Sequence, residues 1–148
     1  MPEEMYDILQ RALADPRTFP PPGIAKTLGF TMTAVARGKA TFEIDVDERL
    51  ANPLGTLHGG VLCDLADAAM GIAYLSELDR GETFTTLELK INFLKPVWNT
   101  RLRAEARVVK RGRTVGLVEC DVYDQTGSLV ARASSTCLTL VGSQAAGR

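Results

Sequence analysis

Residues 61–75 (VLCDLADAAMGIAYL) constrain the fold of this chain more than any other segment. As a helix they carry one wide apolar stripe, and the opposite side is also mostly apolar or small, which predicts burial on every side. A single sheet covers only one side of a helix, so we expect a second copy of the chain to cover the other. The sheet-facing stripe is predicted to be Leu62, Leu65, Ala66, Ala69, Ile72 and Ala73, and the opposite side Ala68, Met70, Gly71 and Tyr74.

Two acids, Asp64 and Asp67, interrupt this apolar helix, about 60° apart on the side away from the stripe. Such acids usually mark a solvated face, but this face lacks the Lys, Glu and Arg of an ordinary wet surface. A carboxylate on a mostly buried face must be hydrogen-bonded, shift its pKa or take part in chemistry. One of the two is therefore a candidate site residue.

The loop that enters the helix contains the only histidine of the chain, followed by two glycines: His58, Gly59 and Gly60. Backbone N–H groups at a helix N-terminus are unpaired, and the helix dipole favours negative charge there. Glycine lets a substrate approach that backbone closely, so the loop suits the oxyanion of an acyl-transfer reaction. Taken alone, the glycines are better explained by turn formation, and His58 is equally well explained by hydrogen bonding at the helix entry.

The remaining segments predict one α+β layer, a curved antiparallel sheet packed on the long helix. A hairpin precedes the helix, and a meander of four strands follows it, because strands joined by tight turns pair antiparallel. The predicted domain covers residues 25–142, with an N-terminal helix and Pro-rich linker before it (1–24) and a flexible tail after it (143–148). The expected elements are a helix at 3–14, strands at 28–36 and 39–47 around a turn at Arg37-Gly38, a helix at 60–78, and strands at 85–93, 100–110, 114–124 and 128–141.

Composition excludes several classes of protein. The formal net charge of -1 argues against a nucleic-acid-binding surface. No apolar run reaches the ~20 residues of a membrane span, and no signal peptide is evident, so a cytoplasmic protein is expected. One histidine and three scattered cysteines (Cys63, Cys120 and Cys137) give neither a metal site nor a disulfide frame. Nucleotide-binding glycine motifs and a nucleophile elbow are also missing, so we expect no cofactor.

The segments NPLGTLHGGVLCDLADAAMGIA and TTLELKINFLKPV resemble the acyl-CoA thioesterases of the hotdog fold. The similarity is to the PaaI-like (phenylacetic acid degradation type) group of the 4-hydroxybenzoyl-CoA thioesterase superfamily, and it spans about residues 29–140. It implies a sheet of about six strands wrapped around one long helix. It also implies a homodimer with active sites at the interface, commonly assembled into a homotetramer as a dimer of dimers.

The same resemblance implies roles for five residues. Asp67, eight residues after Gly59, would act as general base or nucleophile, and the Gly59 N–H would polarise the thioester carbonyl. Asn52 and His58 would orient the water or the thioester, and Thr86 would hold the water near Asp67. Asp67 and Thr86 would face the 52–59 loop of the neighbouring subunit.

Asp64 falls outside the pattern, and we expect it to have a structural or solvent-exposed role. For binding of the acyl-CoA substrate the candidates are Gly60, Lys95, and Arg111 and Arg113 in the KRGR turn, although that turn could equally be a solubilising one. The expected reaction is hydrolysis of aryl- or medium-chain acyl-CoA. Two alternatives stay open: hydratase or dehydratase chemistry on the same fold, and acyl-CoA binding without turnover.

Overall fold

The computed structural model describes residues 4–147 as one helix-on-sheet layer. Glu3, the first residue of the expected N-terminal helix, lies outside this range. In chain order the elements are α1 (Met5–Ala14), α2 (Gly23–Leu28), β1 (Phe30–Ala36), β2 (Lys39–Val46), a 3-10 turn (Glu48–Leu50), α3 (Gly59–Leu75), β3 (Glu82–Phe93), β4 (Thr100–Arg111), β5 (Val115–Asp124), β6 (Leu129–Val141) and a second 3-10 turn (Gly142–Ala145).

The six strands form one antiparallel sheet in the order β1-β2-β4-β5-β6-β3. The α+β class, the first hairpin and the long central helix are confirmed. The four-strand meander was wrong in one respect: β3 does not pair with β4 but lies at the far edge of the sheet, beside β6. β4 pairs with β2 instead, so the hairpin and the rest of the sheet are continuous.

The connection between β3 and β4 explains this order. The N–H groups of Leu94 and Lys95 both donate to the carbonyl of Val130 on β6, and farther along the connection the carbonyl of Val97 accepts from the N–H of Leu57. The connection therefore starts at the end of β3, where it is hydrogen-bonded to β6, and passes the loop before α3. It then leads into β4, which pairs with β2. Pro96 lies within it and has no N–H to offer a sheet ladder, so the segment does not form a tight hairpin.

Helix α3 packs against the concave side of the sheet, and its predicted stripe is buried, apart from Ile72, which is half-buried. The curved sheet covers more of the helix than expected. Met70 and Tyr74, predicted on the opposite side, are both fully buried in the core of their own chain. Tyr74 packs edge-to-face on Phe84, and its hydroxyl forms a 2.7 Å hydrogen bond with Thr139.

Three further differences concern the ends of elements. α2 was not predicted; it follows three consecutive prolines and ends at Leu28. The next residue, Gly29, has a φ of 85°, the left-handed conformation that closes many helices. α3 ends at Leu75, three residues earlier than predicted, where the Ser76 hydroxyl donates to the carbonyl of Ala73. Residues 143–145, expected in a flexible tail, lie in the 3-10 turn Gly142–Ala145. Within residues 4–147 no helix is long and apolar enough to cross a membrane.

We predict that Gly116→Ala destabilises the fold by about 1–3 kcal/mol in free energy of unfolding. A Cβ at Gly116 of β5 would collide with the ring of Tyr74, which is fully buried and hydrogen-bonded and so has no room to move. Urea denaturation measures the change. Gly23→Ala is the matched control, because no atom lies within 4 Å of a Cβ at that position, and it should shift the value by no more than about 0.5 kcal/mol.

Candidate active site

The N-terminus of α3 presents one unpaired backbone donor. The Nδ1 atom of His58 accepts from the N–H of Gly60 at 2.9 Å, and the carbonyl of His58 accepts from the N–H of Val61 at 3.0 Å. His58 is thus the N-cap of the helix. The N–H of Gly59 has no hydrogen-bond acceptor anywhere in the described part of the chain. It remains free at the positive end of the helix dipole, where it can bind a carbonyl oxygen.

The loop before this N-terminus is shaped by Asn52. Its Oδ1 atom accepts from the N–H groups of Leu54 (2.9 Å) and Thr56 (3.2 Å), and its Nδ2 atom donates to the hydroxyl of Thr56 at 2.8 Å. The loop is fixed to the rest of the chain by the His58 N–H, which donates to the Leu50 carbonyl. Asn52 therefore holds the backbone that leads into the site.

A mostly apolar cavity of about 460 Å³ opens beside the Gly59 backbone. It lies between the 52–57 loop, the first turn of α3 and the connection that follows β3. Its lining residues are Asn52, Thr56, Leu57, Gly59, Leu62, Phe93, Leu94, Lys95, Pro96 and Val97.

Asp67 lies farther along α3 and faces β3. Its Oδ1 atom accepts a 3.4 Å hydrogen bond from the hydroxyl of Thr86, which stands where a β-bulge shifts the pairing of β3 with β6. Asp67 is exposed in the single chain, yet the groups packed around its carboxyl partly desolvate it and raise its pKa; the Thr86 hydrogen bond opposes that rise, and the negative charge of Asp64 adds to it. A raised pKa brings a carboxylate closer to the range in which it accepts protons at neutral pH.

Asp67 and Thr86 line a second pocket, of about 310 Å³, together with Cys63, Asp64, Leu87, Glu88 and Leu89. This pocket and the Gly59 cavity share no lining residue. Eight residues of helix separate Gly59 from Asp67, which is about 12 Å along the axis. Reacting groups must come within about 3–3.5 Å of each other, so Gly59 and Asp67 of the same chain are too far apart to act on one carbonyl group.

The structure brings few of the candidate CoA-binding cations to these pockets. Lys95 lines the Gly59 cavity but pairs with Asp124 at 2.5 Å, which holds the pKa of that carboxyl far below its usual range. Arg111 turns inward, where it forms an ion pair with Glu82 and donates to the carbonyl of Glu77. Arg113 is exposed at the turn. Of these three cations, only Lys95 lines the Gly59 cavity or the pocket beside Asp67.

Comparison with known proteins places the chain in a family. The model of the thioesterase superfamily matches residues 54–131. The chain belongs to the thioesterase superfamily. It is 31% identical over 108 residues to human acyl-coenzyme A thioesterase 13, covering 72% of this chain and 76% of the human protein. It is 30% identical over 108 residues to a 1,4-dihydroxy-2-naphthoyl-CoA hydrolase of Listeria monocytogenes, covering 73% and 88%.

A solved structure agrees with this assignment. The PaaI protein from the phenylacetic acid degradation operon of E. coli superposes with a TM-score of 0.81 at 26% identity, covering 95% of this chain and 98% of that one. The resemblance to PaaI-like hotdog thioesterases is thus confirmed, and the protein is a thioester hydrolase.

Sequence reasoning gave no role to Phe93, which lines the Gly59 cavity. The predicted strand at 85–93 includes this residue but did not indicate that its ring lies against Gly59. That contact joins residues 34 positions apart and depends on the path of the β3–β4 connection. No local pattern could have revealed it.

We predict that His58→Ala destabilises this thioesterase by about 1 kcal/mol, as loss of an N-cap side chain usually does. His58→Asn should restore most of that stability, because asparagine also accepts from backbone N–H groups at this position. Thermal unfolding followed by circular dichroism measures both variants. If turnover recovers in His58→Asn as stability does, His58 acts through the helix N-terminus; if stability alone recovers, its ring also contacts the substrate.

Proposed function

We propose that this thioesterase hydrolyses acyl-CoA thioesters, with an aryl or medium-chain acyl group, to the free acid and CoA. The observation that carries the proposal is the free N–H of Gly59 at the start of α3, on the same helix as a carboxylate of raised pKa. A donor for a developing oxyanion and an acceptor for a proton are the two groups that hydrolysis of a thioester needs. The named activities of the Listeria and human relatives are consistent with a CoA thioester as substrate.

The proposed site combines the Gly59 half of one protomer with the Asp67 half of a second copy. Two features support a paired assembly. β3 is an edge strand of twelve residues whose backbone is open to pairing on one side. It also carries a large apolar side chain that is more than half exposed in the single chain, Leu87 (58%). We propose a homodimer formed there, and a dimer of dimers as the larger assembly.

In the proposed reaction the thioester carbonyl accepts from the Gly59 N–H. Asp67 removes a proton from a water molecule, the water oxygen attacks the carbonyl carbon, and the C–S bond breaks. CoA leaves as a thiolate and takes up the proton held by Asp67. In the second route Asp67 itself attacks the carbonyl carbon, and CoA leaves as a thiolate that solvent protonates. Water then hydrolyses the mixed anhydride to the free acid and restores Asp67. Thr86 holds Asp67, or the water beside it, in place in either route.

Asn52 and His58 support this chemistry by holding the backbone that carries the Gly59 N–H. Asn52 holds the loop and His58 caps α3, so both fix the direction of the Gly59 N–H. Each also retains an N–H that the contacts above leave unused, on Nδ2 of Asn52 and on Nε2 of His58. Either could orient the thioester or the water.

A thiol-release assay over a panel of acyl-CoAs tests the proposal. The panel contains phenylacetyl-, hydroxybenzoyl- and octanoyl-CoA, and crotonyl-CoA serves to detect hydration of a double bond. We expect release of free CoA from at least one aryl or medium-chain thioester. Hydration of crotonyl-CoA without release of CoA would instead assign the site to hydratase chemistry, and binding without turnover would assign it to a ligand-binding protein.

A further inference from the structure

Phe93 lies directly against the glycine that provides the free N–H. It is the last residue of β3, and it pairs with Ala131, a buried residue of β6. A Cβ placed on Gly59 would lie 2.9 Å from the Cζ atom of Phe93 and 3.2 and 3.3 Å from its two Cε atoms. The distal edge of the ring therefore fills the space into which any side chain at position 59 would point.

The segment that carries this ring is firmly attached. The N–H groups of Leu94 and Lys95 donate to Val130 at 2.8 and 3.2 Å. The Lys95 ammonium is paired with Asp124, a buried carboxylate. Two backbone hydrogen bonds and an ion pair directly after Phe93 hold the end of β3 in place. The backbone from which the ring extends is therefore fixed beside Gly59.

The ring also limits what can lie next to the Gly59 N–H. The nitrogen and the Cβ position of a residue are both bonded to Cα, so a ring in contact with the Cβ position of Gly59 lies within a few ångström of its nitrogen. A carbonyl oxygen bound there lies about 2.7–3.1 Å from the nitrogen, so one substituent of the carbonyl carbon, the acyl α-carbon or the sulfur, comes close to the ring. Phe93 is 55% exposed, so its faces remain available for contact with an acyl group.

We propose that Phe93 determines acyl specificity, because its ring closes the space beside the α-carbon of the bound thioester. Acyl groups with an unbranched α-carbon fit between the ring and the Gly59 backbone. An α-methyl group competes with the ring for the same space and is rejected. This inference rests on the proposed hydrolysis of acyl-CoA and adds a specificity-determining residue to it.

The test compares two thioesters that differ by one α-methyl group, phenylacetyl-CoA and 2-phenylpropanoyl-CoA, with butanoyl-CoA and 2-methylbutanoyl-CoA as an aliphatic pair. A methylene-sized difference in a tight pocket changes kcat/KM by about 10–200-fold, so we expect the wild type to prefer the unbranched member by at least about tenfold. Phe93→Ala should reduce that preference to about threefold or less, mainly through faster hydrolysis of the branched member.

Phe19→Ala is the matched control, since Phe19 is an equally exposed phenylalanine (58%) in the linker between α1 and α2. It should keep the wild-type preference. Phe93→Leu provides a second variant if Phe93→Ala unfolds; it retains an apolar side chain but lacks the distal ring edge, and it should relax the preference in the same direction. Thermal unfolding of each variant identifies any that fail to fold.

A second measurement tests the contact itself. Gly59→Ala should lose activity because its methyl group displaces the ring, and the double variant Gly59→Ala/Phe93→Ala should be at least about fivefold more active than Gly59→Ala alone. Equal preference in wild type and Phe93→Ala, or no recovery in the double variant, would overturn the role of Phe93 while hydrolysis itself stands. A wild type that releases no CoA from either pair or from the wider panel would overturn both proposals.

Discussion

Asp67→Asn is expected to lower turnover of the acyl-CoA substrate at least about 100-fold, the scale on which general-base catalysis usually contributes. Asparagine has nearly the same shape and still accepts from the hydroxyl of Thr86, so the geometry of the site should persist. It neither takes a proton from water nor attacks a carbonyl carbon, so both proposed routes stop. The measurement is kcat from the thiol-release assay at saturating substrate.

The same substitution should not weaken the fold at neutral pH. The raised pKa of Asp67 means that the folded chain binds this proton more tightly than the unfolded chain. The associated stability is present at pH values below the unfolded pKa and is lost as the pH rises through the folded pKa. At pH 7 the ionised carboxylate is therefore a destabilising group, and the neutral amide of the variant removes it. We expect an equal or higher Tm for Asp67→Asn at pH 7, with the difference disappearing in acid.

Asp64→Asn is the matched control, on the same helix face and lining the same pocket. Turnover at neutral pH should change little. The charge of Asp64 is one of the causes that raise the pKa of Asp67, so its removal should move the acid limb of kcat/KM to lower pH. A large loss of turnover in Asp64→Asn with little loss in Asp67→Asn would mean that the catalytic carboxylate has been assigned to the wrong residue.

The second large effect is recovery of activity when two inactive variants are combined. Asp67→Asn damages one half of the proposed site, and Gly59→Val damages the other by placing a branched side chain against the ring of Phe93. A hybrid dimer contains one site with both defects and one site with neither. When the two variants carry different affinity tags and the hybrid is purified through both, it should show about half the wild-type turnover per dimer, whereas each variant alone is nearly inactive.

A hybrid dimer of Asp67→Asn and Thr86→Val controls for changes in activity that come only from pairing two different variant chains. Asp67 and Thr86 lie in the same chain, 3.4 Å apart between Oδ1 and Oγ1, so every site of that hybrid keeps one defect. Its turnover should not exceed that of the better parent. If the Asp67→Asn/Gly59→Val hybrid also stays inactive, the two halves do not meet across subunits, and the proposed composite site is wrong.

Local sequence pattern was sufficient for most elements of the fold. The apolar run of α3, the turn at Arg37-Gly38 and the alternation along the strands each depend on neighbours within a few residues. The position of β3 could not be read in this way, because alternation gives the faces of a strand and not its partner. The deciding feature was the β3–β4 connection, whose hydrogen bonds to Val130 and Leu57 link distant segments.

The candidate site shows the same difference between features set by nearby residues and features set by distant ones. The Asp67–Thr86 contact was expected from the resemblance, and the structure brings the two side chains together. Met70 was misplaced because a helical wheel treats the covering sheet as flat, whereas the curved sheet wraps farther around α3. The inward turn of Arg111 depends on a carboxylate 29 residues away in sequence, Glu82, which no inspection of the KRGR turn would suggest.

Both proposed half-sites lie on one helix, α3. In the proposed dimer, α3 of each protomer would contribute the carbonyl donor at its N-terminus to one reaction centre and the carboxylate two turns later to the other. A slide of one helix past its symmetry mate would lengthen the donor–carboxylate gap in both centres at once. A displacement of this kind would therefore affect the two centres equally.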